Sequence, residues 1–352
     1  MNDETAQRTT PKSPSRNLIR AIVWPLLILV VAILGYRAWV NAPPMTTPVI
    51  AFITADETPY WDRVIEGAEA ASKEYGVDLR VLRPNGDLEA QNTLLTRATR
   101  LPVDAIAVSP VNATRQTAKL RQIASSTPLL TMDSDSEYSD RVCFVGMNNY
   151  NAGRRCGELV KEAIPEGGRV LIVSGSLDKS NGRQRRMGLI DELMERPLNQ
   201  GADSPPIDAS FESERYEIPP TLVDPIDPEI AKQQVLDRLN AGERYDCIVG
   251  LYGYHAPAIV GAIEASGVTD PIMVVGFDAV PETLAAIEAG DVYGVIAQDR
   301  FSYGFESVRI LAKVSRGADY AVPVERRIEF PPSIVTAGRL EAFRDRALRM
   351  VP

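Results

Sequence analysis

Three acidic side chains alternate with serine in the stretch LLTMDSDSEYSD: Asp133, Asp135 and Glu137. Carboxylates in such a pattern suit three kinds of chemistry. They can ligate a calcium ion, act as general acids, or hydrogen-bond a neutral polar ligand. An EF-hand loop follows D-x-[DN]-x-[DN]-G and closes with a glutamate at its twelfth position. Tyr138 stands where the glycine is needed and Phe144 where the closing glutamate is needed, so the match to a calcium loop ends halfway. The apolar run 128–132 stops at Asp133 and delivers a carboxylate at the tip of a strand.

Other reactive groups are sparse. The chain has no G-x-S-x-G, Walker A, G-x-G-x-x-G or H-E-x-x-H sequence, so the usual nucleophile, phosphate and zinc signatures are missing. Its only histidine is His255, and its three cysteines, Cys143, Cys156 and Cys247, form no C-x-x-C. A triad or zinc site is hard to assemble from that set, and the cysteines read as small core residues. Asp133 with Asp278 would be the carboxylate pair of a glycosidase, but no motif supports one. The sequence predicts neither an enzyme nor a cofactor. The net charge of −9 opposes a general nucleic-acid binder, which needs a basic surface to displace counterions.

The elements that must position these groups follow a strand–helix rhythm. VIAFIT (49–54) is a β-rich apolar run, and YWDRVIEGAEAASKEYG carries apolar residues at helical spacing up to Gly76, a left-handed cap. Strands at VDLRVL, DAIAVSP and PLLTMD alternate with helices, and the rhythm resumes from RVCFVGM to VIAQD (295–299) and the helix after it. This predicts an α/β protein of two doubly wound, Rossmann-like parallel sheets, with 197–216 a surface loop and 319–352 less regular. Ligands of such sheets bind beyond the carboxyl ends of the strands. Polar residues stand there repeatedly: Asp133 after LLTM, Asp278 after VVGF, Gln298 after VIA, and Tyr252 and Tyr254 after CIVGL.

These stretches resemble the periplasmic sugar-binding proteins of the ribose- and galactose-binding type, the receptors of ABC importers, over residues 48–335. TADETPYWDRVIEGAE is similar to the opening loop and helix of that family, LLTMDSD to its fourth strand, VGMNNYNAG to its crossing segment, NGRQRRMG to its A-x-x-R-x-x-G helix start, and VVGFDAVPE to its GFD segment. The resemblance implies two lobes, 49–147 plus 299–333 and 148–298 plus 334–352, joined by a hinge. It implies a monosaccharide, pentose or hexose, held in the cleft by Tyr60, Trp61, Asp133, Arg185, Asp278 and Gln298. His255 stands where the family has an asparagine and is expected to contact the ligand too. Arg183 and Arg186 read as a solvated face. Such a set fits sugar chemistry: carboxylates accept from hydroxyls, a guanidinium donates, an amide does both, and aromatic faces cover C–H groups.

The N-terminus completes the expectation. Residues 1–17 are polar and read as a disordered cytoplasmic tail. The segment 18–40, with an apolar run preceded by Lys12, Arg16 and Arg20, reads as a signal or retained membrane anchor that exports the rest to the periplasm or cell envelope. Pro43 and Pro44, in the linker 41–48, oppose cleavage. The implied partner is an ABC permease; a tethered sensor that signals to a kinase or chemoreceptor is the alternative. A repressor of the lac type would carry a helix-turn-helix where this chain has the apolar run.

Overall fold

The computed structural model describes residues 24–34, 36, 47–198 and 204–349. The tail 1–17, much of the segment 18–40 and all but the end of the linker lie outside the described residues. The N-terminal unit is helical over 24–34. Among the described residues no helix is long and apolar enough to cross a membrane.

From residue 47 onwards the chain forms one unit with the expected alternation. It begins β1 (Val49–Ile53), α1 (Tyr60–Tyr75), β2 (Asp78–Leu82), α2 (Leu88–Arg100), β3 (Ala105–Val108), α3 (Ala113–Ala124), β4 (Leu129–Met132) and β5 (Cys143–Gly146). It continues α4 (Asn149–Ala163), β6 (Gly168–Ser174), α5 (Ser180–Leu193), β7 (Phe211–Glu212), β8 (Tyr216–Ile218), β9 (Leu222–Val223), α6 (Pro228–Asn240), β10 (Cys247–Gly250), α7 (His255–Ser266), β11 (Met273–Phe277), α8 (Pro281–Ala289) and β12 (Gly294–Ala297). The last elements are α9 (Arg300–Val314), β13 (Arg327–Glu329), β14 (Ser333–Thr336) and α10 (Leu340–Arg349).

Local sequence explains the boundaries. Asp87, Asn112, Asn148, Asp227 and Asp299 each cap a helix by accepting from a backbone N–H of its first turn, which satisfies donors that the helix cannot. Gly76 adopts φ +60° and ends α1, as its lack of a Cβ allows. The stretch 197–216 holds the short strand β7 and reaches the first residue of β8, and the tail supplies two strands and a helix that its irregular composition conceals.

Two sheets result. One runs β13-β5-β4-β3-β1-β2 and is parallel throughout. The other runs β14-β12-β11-β10-β6-β8-β7, with β9 also on β6 and with β14 and β7 antiparallel. The chain therefore passes between the lobes after β5, after β12, and between β13 and β14. Helices α1 and α9 pack together against the first sheet, and α4 and α5 together beside the second. The central strands are buried at every position, as strands covered on both faces should be. Cys143 and Cys247 are core residues of β5 and β10, and Cys156 of α4.

Candidate ligand-binding site

The carboxyl ends of both sheets face one cavity of about 840 Å³. Asp133 follows β4 and Asp278 follows β11, at equivalent places in the two lobes. Both adopt left-handed backbone, φ +60° and +63°, a conformation that aspartate tolerates better than branched residues do. The turn takes the chain out of each strand and leaves a buried carboxylate at its tip.

In the first lobe, Asp133 Oδ1 accepts from the Tyr60 hydroxyl at 2.8 Å, and Oδ2 from the Ser109 hydroxyl at 3.2 Å. Burial raises the Asp133 pKa, against the charges of Arg185 and Lys179 and the Tyr60 hydrogen bond. Tyr60 and Trp61 begin α1 and meet edge to face, ring centroids 5.2 Å apart. Trp61 is buried, and its indole N–H donates to Asp56 Oδ1 at 2.9 Å. Gln91 braces the strand ends behind them by donating to the carbonyls of Thr54 and Ser109.

In the second lobe, Arg185 is 2% exposed. Its Nε donates to Asn149 Oδ1 and its Nη1 to the Leu251 carbonyl, both at 2.9 Å. The guanidinium lies over the Phe277 ring, 4.6 Å from its centroid. Among the described residues Nη2 has no hydrogen-bond partner although it is buried. A buried donor left unpaired is costly, and Arg185 lines the cavity, so a ligand acceptor is the natural complement. Asp278 accepts from Gln298 Nε2 at 2.8 Å.

The cavity thus brings together Tyr60, Trp61, Asp133, Arg185, Asp278 and Gln298. His255 stands apart. It is fully buried, its Nδ1 accepts from the Tyr252 N–H at 2.9 Å, and its Nε2 lies 2.6 Å from Asp224 Oδ2. Both ring nitrogens are used inside the protein, so the structure gives this residue a place behind the site. Burial lowers its pKa, with Asp224 opposing. Arg186 departs from the solvated reading: it is fully buried and donates to Thr221 and to the carbonyls of Pro205 and Pro206. Burial pushes its guanidinium down to about 10. Asp135 is held by Arg141, Nε at 2.5 Å and Nη2 at 2.6 Å, and Asp133 by the groups above. The acidic stretch is therefore spread over separate partners, and among the described residues no cluster suits a metal ion.

Sequence patterns do not mark several lining residues, among them the polar Asp56, Lys179 and Asn181. Asp56 follows β1, so the rule that found Asp133 and Asp278 applies to it too. Lys179 and Asn181 sit at the start of α5, where no local pattern separates them from surface residues.

Residues 49–319 match the family profile described as periplasmic binding protein domain. The chain is 23% identical over 300 residues to the ribose import binding protein RbsB of Salmonella typhimurium, covering 83% of this chain and 93% of that protein. Its fold is similar to the glucose-galactose binding protein GanP of Geobacillus stearothermophilus, with a TM-score of 0.74, 22% identity, and coverage of 83% and 98%. The Caulobacter myo-inositol binding protein, bound to myo-inositol, gives a TM-score of 0.74 at 19% identity, with coverage of 86% and 97%.

Proposed function

The chain belongs to the periplasmic binding protein domain family, and on that premise we propose that it is an extracytoplasmic receptor for a sugar, a pentose or hexose ring held between the lobes and handed to an ABC importer. The observation that carries this reading is Arg185, which lines the cavity beside Asp133, Asp278, Gln298, Tyr60 and Trp61 and whose buried Nη2 has no partner among the described residues. Hydroxyls of a sugar ring complement that set, because they accept from the guanidinium and donate to the carboxylates. Hydrogen bonds to charged groups contribute about 1.5–3 kcal/mol each, so a few of them reach the roughly 8 kcal/mol of micromolar binding after association costs. The relatives named for ribose import, for glucose and galactose, and for myo-inositol support a small polyhydroxylated ring.

The lobes close on the ligand about the three crossing segments, and the closed form is what the importer reads. The apolar segment 18–40 either tethers the receptor to the cytoplasmic membrane or serves as its export signal; the size of the mature protein in a membrane fraction distinguishes these. The test of the main reading is isothermal titration with a panel of pentoses, hexoses and inositols. A single family of ring configurations is expected to bind, and Arg185→Met to abolish binding while the fold stays intact. Failure of every ring to bind sinks the assignment.

A further inference from the structure

The cavity is larger than its polar floor. Pockets of ~300–1,000 Å³ hold drug-sized ligands, and the volume here, about 840 Å³, exceeds what one sugar ring fills. Besides the floor, the second lobe contributes an apolar stretch to the lining. This wall is Ile226, Tyr252, Tyr254, Pro257, Val280 and Pro281.

The two tyrosines have no hydroxyl proton left to donate to a ligand there. Tyr252 donates to the Ser176 carbonyl at 2.9 Å, and Tyr254 donates to Asp224 Oδ1. Gly182 and Gly175 make room for those hydroxyls: a Cβ at either position would collide with the Tyr252 or Tyr254 oxygen. The rings are pinned by their polar ends, 6.2 Å apart and tilted by 46°. What they present is aromatic surface. Among the lining residues of this lobe the charged ones besides the floor and Lys179 are Glu229, Lys232 and Glu282. Hydroxyls placed on the wall would lose water and find no partner, whereas an apolar ring would gain contact and stacking.

We propose that the ligand is a glycoside: a sugar ring on the polar floor, joined to an apolar cyclic group that rests on Tyr252, Tyr254 and Val280. This rests on the sugar reading above and adds the second half of the ligand. The test is calorimetric titration of the full chain with matched sets of free sugar, methyl glycoside and phenyl glycoside, in both anomers, for each pentose and hexose of the panel. A phenyl glycoside is expected to bind at least tenfold tighter than its free sugar, with the methyl glycoside near the free sugar. Val280→Asp probes the wall. Val280 is the N-cap position of α8 and has no capping side chain, so aspartate there suits the helix. The variant is expected to erase the phenyl gain and leave free-sugar affinity unchanged. Equal or tighter binding of the free sugar, or a phenyl gain that survives Val280→Asp, overturns the glycoside inference and leaves the sugar reading standing. No binding of any sugar or glycoside overturns both.

Discussion

Lys179 Nζ lies 2.9 Å from Asp56 Oδ2, an ion pair that spans the cleft from the start of α5 in the second lobe to the loop after β1 in the first. The next two residues also reach across. The Ser180 hydroxyl accepts from the Asp135 N–H at 2.9 Å, and Asn181 Nδ2 donates to Asp133 Oδ2 at 3.1 Å. One helix start thus engages two strand tips of the other lobe, beside the cavity floor. Asp56 is prepared for this by its own lobe, since Oδ1 also accepts from the Thr58 N–H, the Thr58 hydroxyl and the Trp61 indole.

Lys179→Met is therefore expected to loosen closure. Both members of the pair are buried, and removing one partner of a buried pair costs about 3–5 kcal/mol. The donors that remain on Asp56 hold the loss to the lower end, about 3 kcal/mol, read as a lower urea midpoint. The radius of gyration in solution scattering should rise as the lobes part. A variant as compact and as stable as the parent would show that the bridge does not hold the cleft.

The crossing helices make a second prediction. In the α1–α9 pair, a Cβ on Gly67 would meet the Phe301 carbonyl and one on Gly304 the Val64 carbonyl; in the α4–α5 pair, Gly153 faces the Arg185 carbonyl and Gly188 the Tyr150 carbonyl. Backbone cannot move aside as a side chain can. Gly304→Ala and Gly188→Ala should each destabilise by about 1–3 kcal/mol through overpacking, although alanine is the better helix former. Gly261→Ala is the control. Its Cβ would touch only the flexible end of Lys232 at 3.4 Å, so a gain of about 0.4–1 kcal/mol is expected. Thermal melts of the three proteins decide the matter.

What was legible in the sequence follows the range of the forces involved. The two-lobed α/β fold is written in runs such as AIAV and CIVG, because strands covered on both faces must be apolar throughout. Asp133, Asp278 and Gln298 stand out because a strand that ends in a polar side chain places it at the sheet's carboxyl edge. Lys179 and Asn181 do not stand out, since their partners Asp56 and Asp133 are distant in sequence and nothing near α5 marks the contact. Arg186 misleads for the same reason. The run RQRR looks solvated, yet α5 is buried on the side of α4 and on the side of the 204–206 loop, whose carbonyls take the charge. His255 misleads by its position at a helix start, because its place depends on Asp224, which belongs to another segment.

Two aspartates of the site should separate the pH dependence of stability from that of binding. Burial pushes the Asp56 carboxyl up, but the Lys179 charge and the Thr58 hydrogen bonds outweigh it, and the net pKa is lowered. As pH falls below the ordinary carboxylate range, near about 4, the unfolded chain takes the proton first. The stability of the pair is then lost through the folded pKa. Asp133 has the opposite sign: its raised pKa means that the folded protein takes up a proton first, so acidification through that interval adds stability while it removes a carboxylate acceptor. Sugar affinity is expected to decline at a higher pH than the urea midpoint does, and Asp133→Asn to flatten the affinity profile. Affinity and midpoint falling together over one pH interval would contradict this.

His255 offers the most direct measurement, because it is the only histidine in the chain and its imidazole signals need no assignment. Nδ1 accepts from the Tyr252 N–H, so the proton of the neutral ring sits on Nε2 and points at Asp224. Burial, the larger influence, lowers the pKa against the pull of Asp224. The nitrogen spectrum should show that tautomer and a titration below the free value of about 6.5. Since the unfolded chain then protonates first, this group takes away stability as pH drops below its unfolded pKa. His255→Phe should lower stability by about 2–3 kcal/mol, because the Asp224 carboxylate, fully buried, loses one charged-group hydrogen bond. The Tyr252 N–H loses its acceptor as well, while the Tyr252 hydroxyl keeps the Ser176 carbonyl, so ligand affinity should change less than stability does. A ligand contact would behave differently: His255→Phe would cost affinity with the urea midpoint unchanged, and the sugar would move the imidazole shifts strongly. That outcome would return His255 to the cleft.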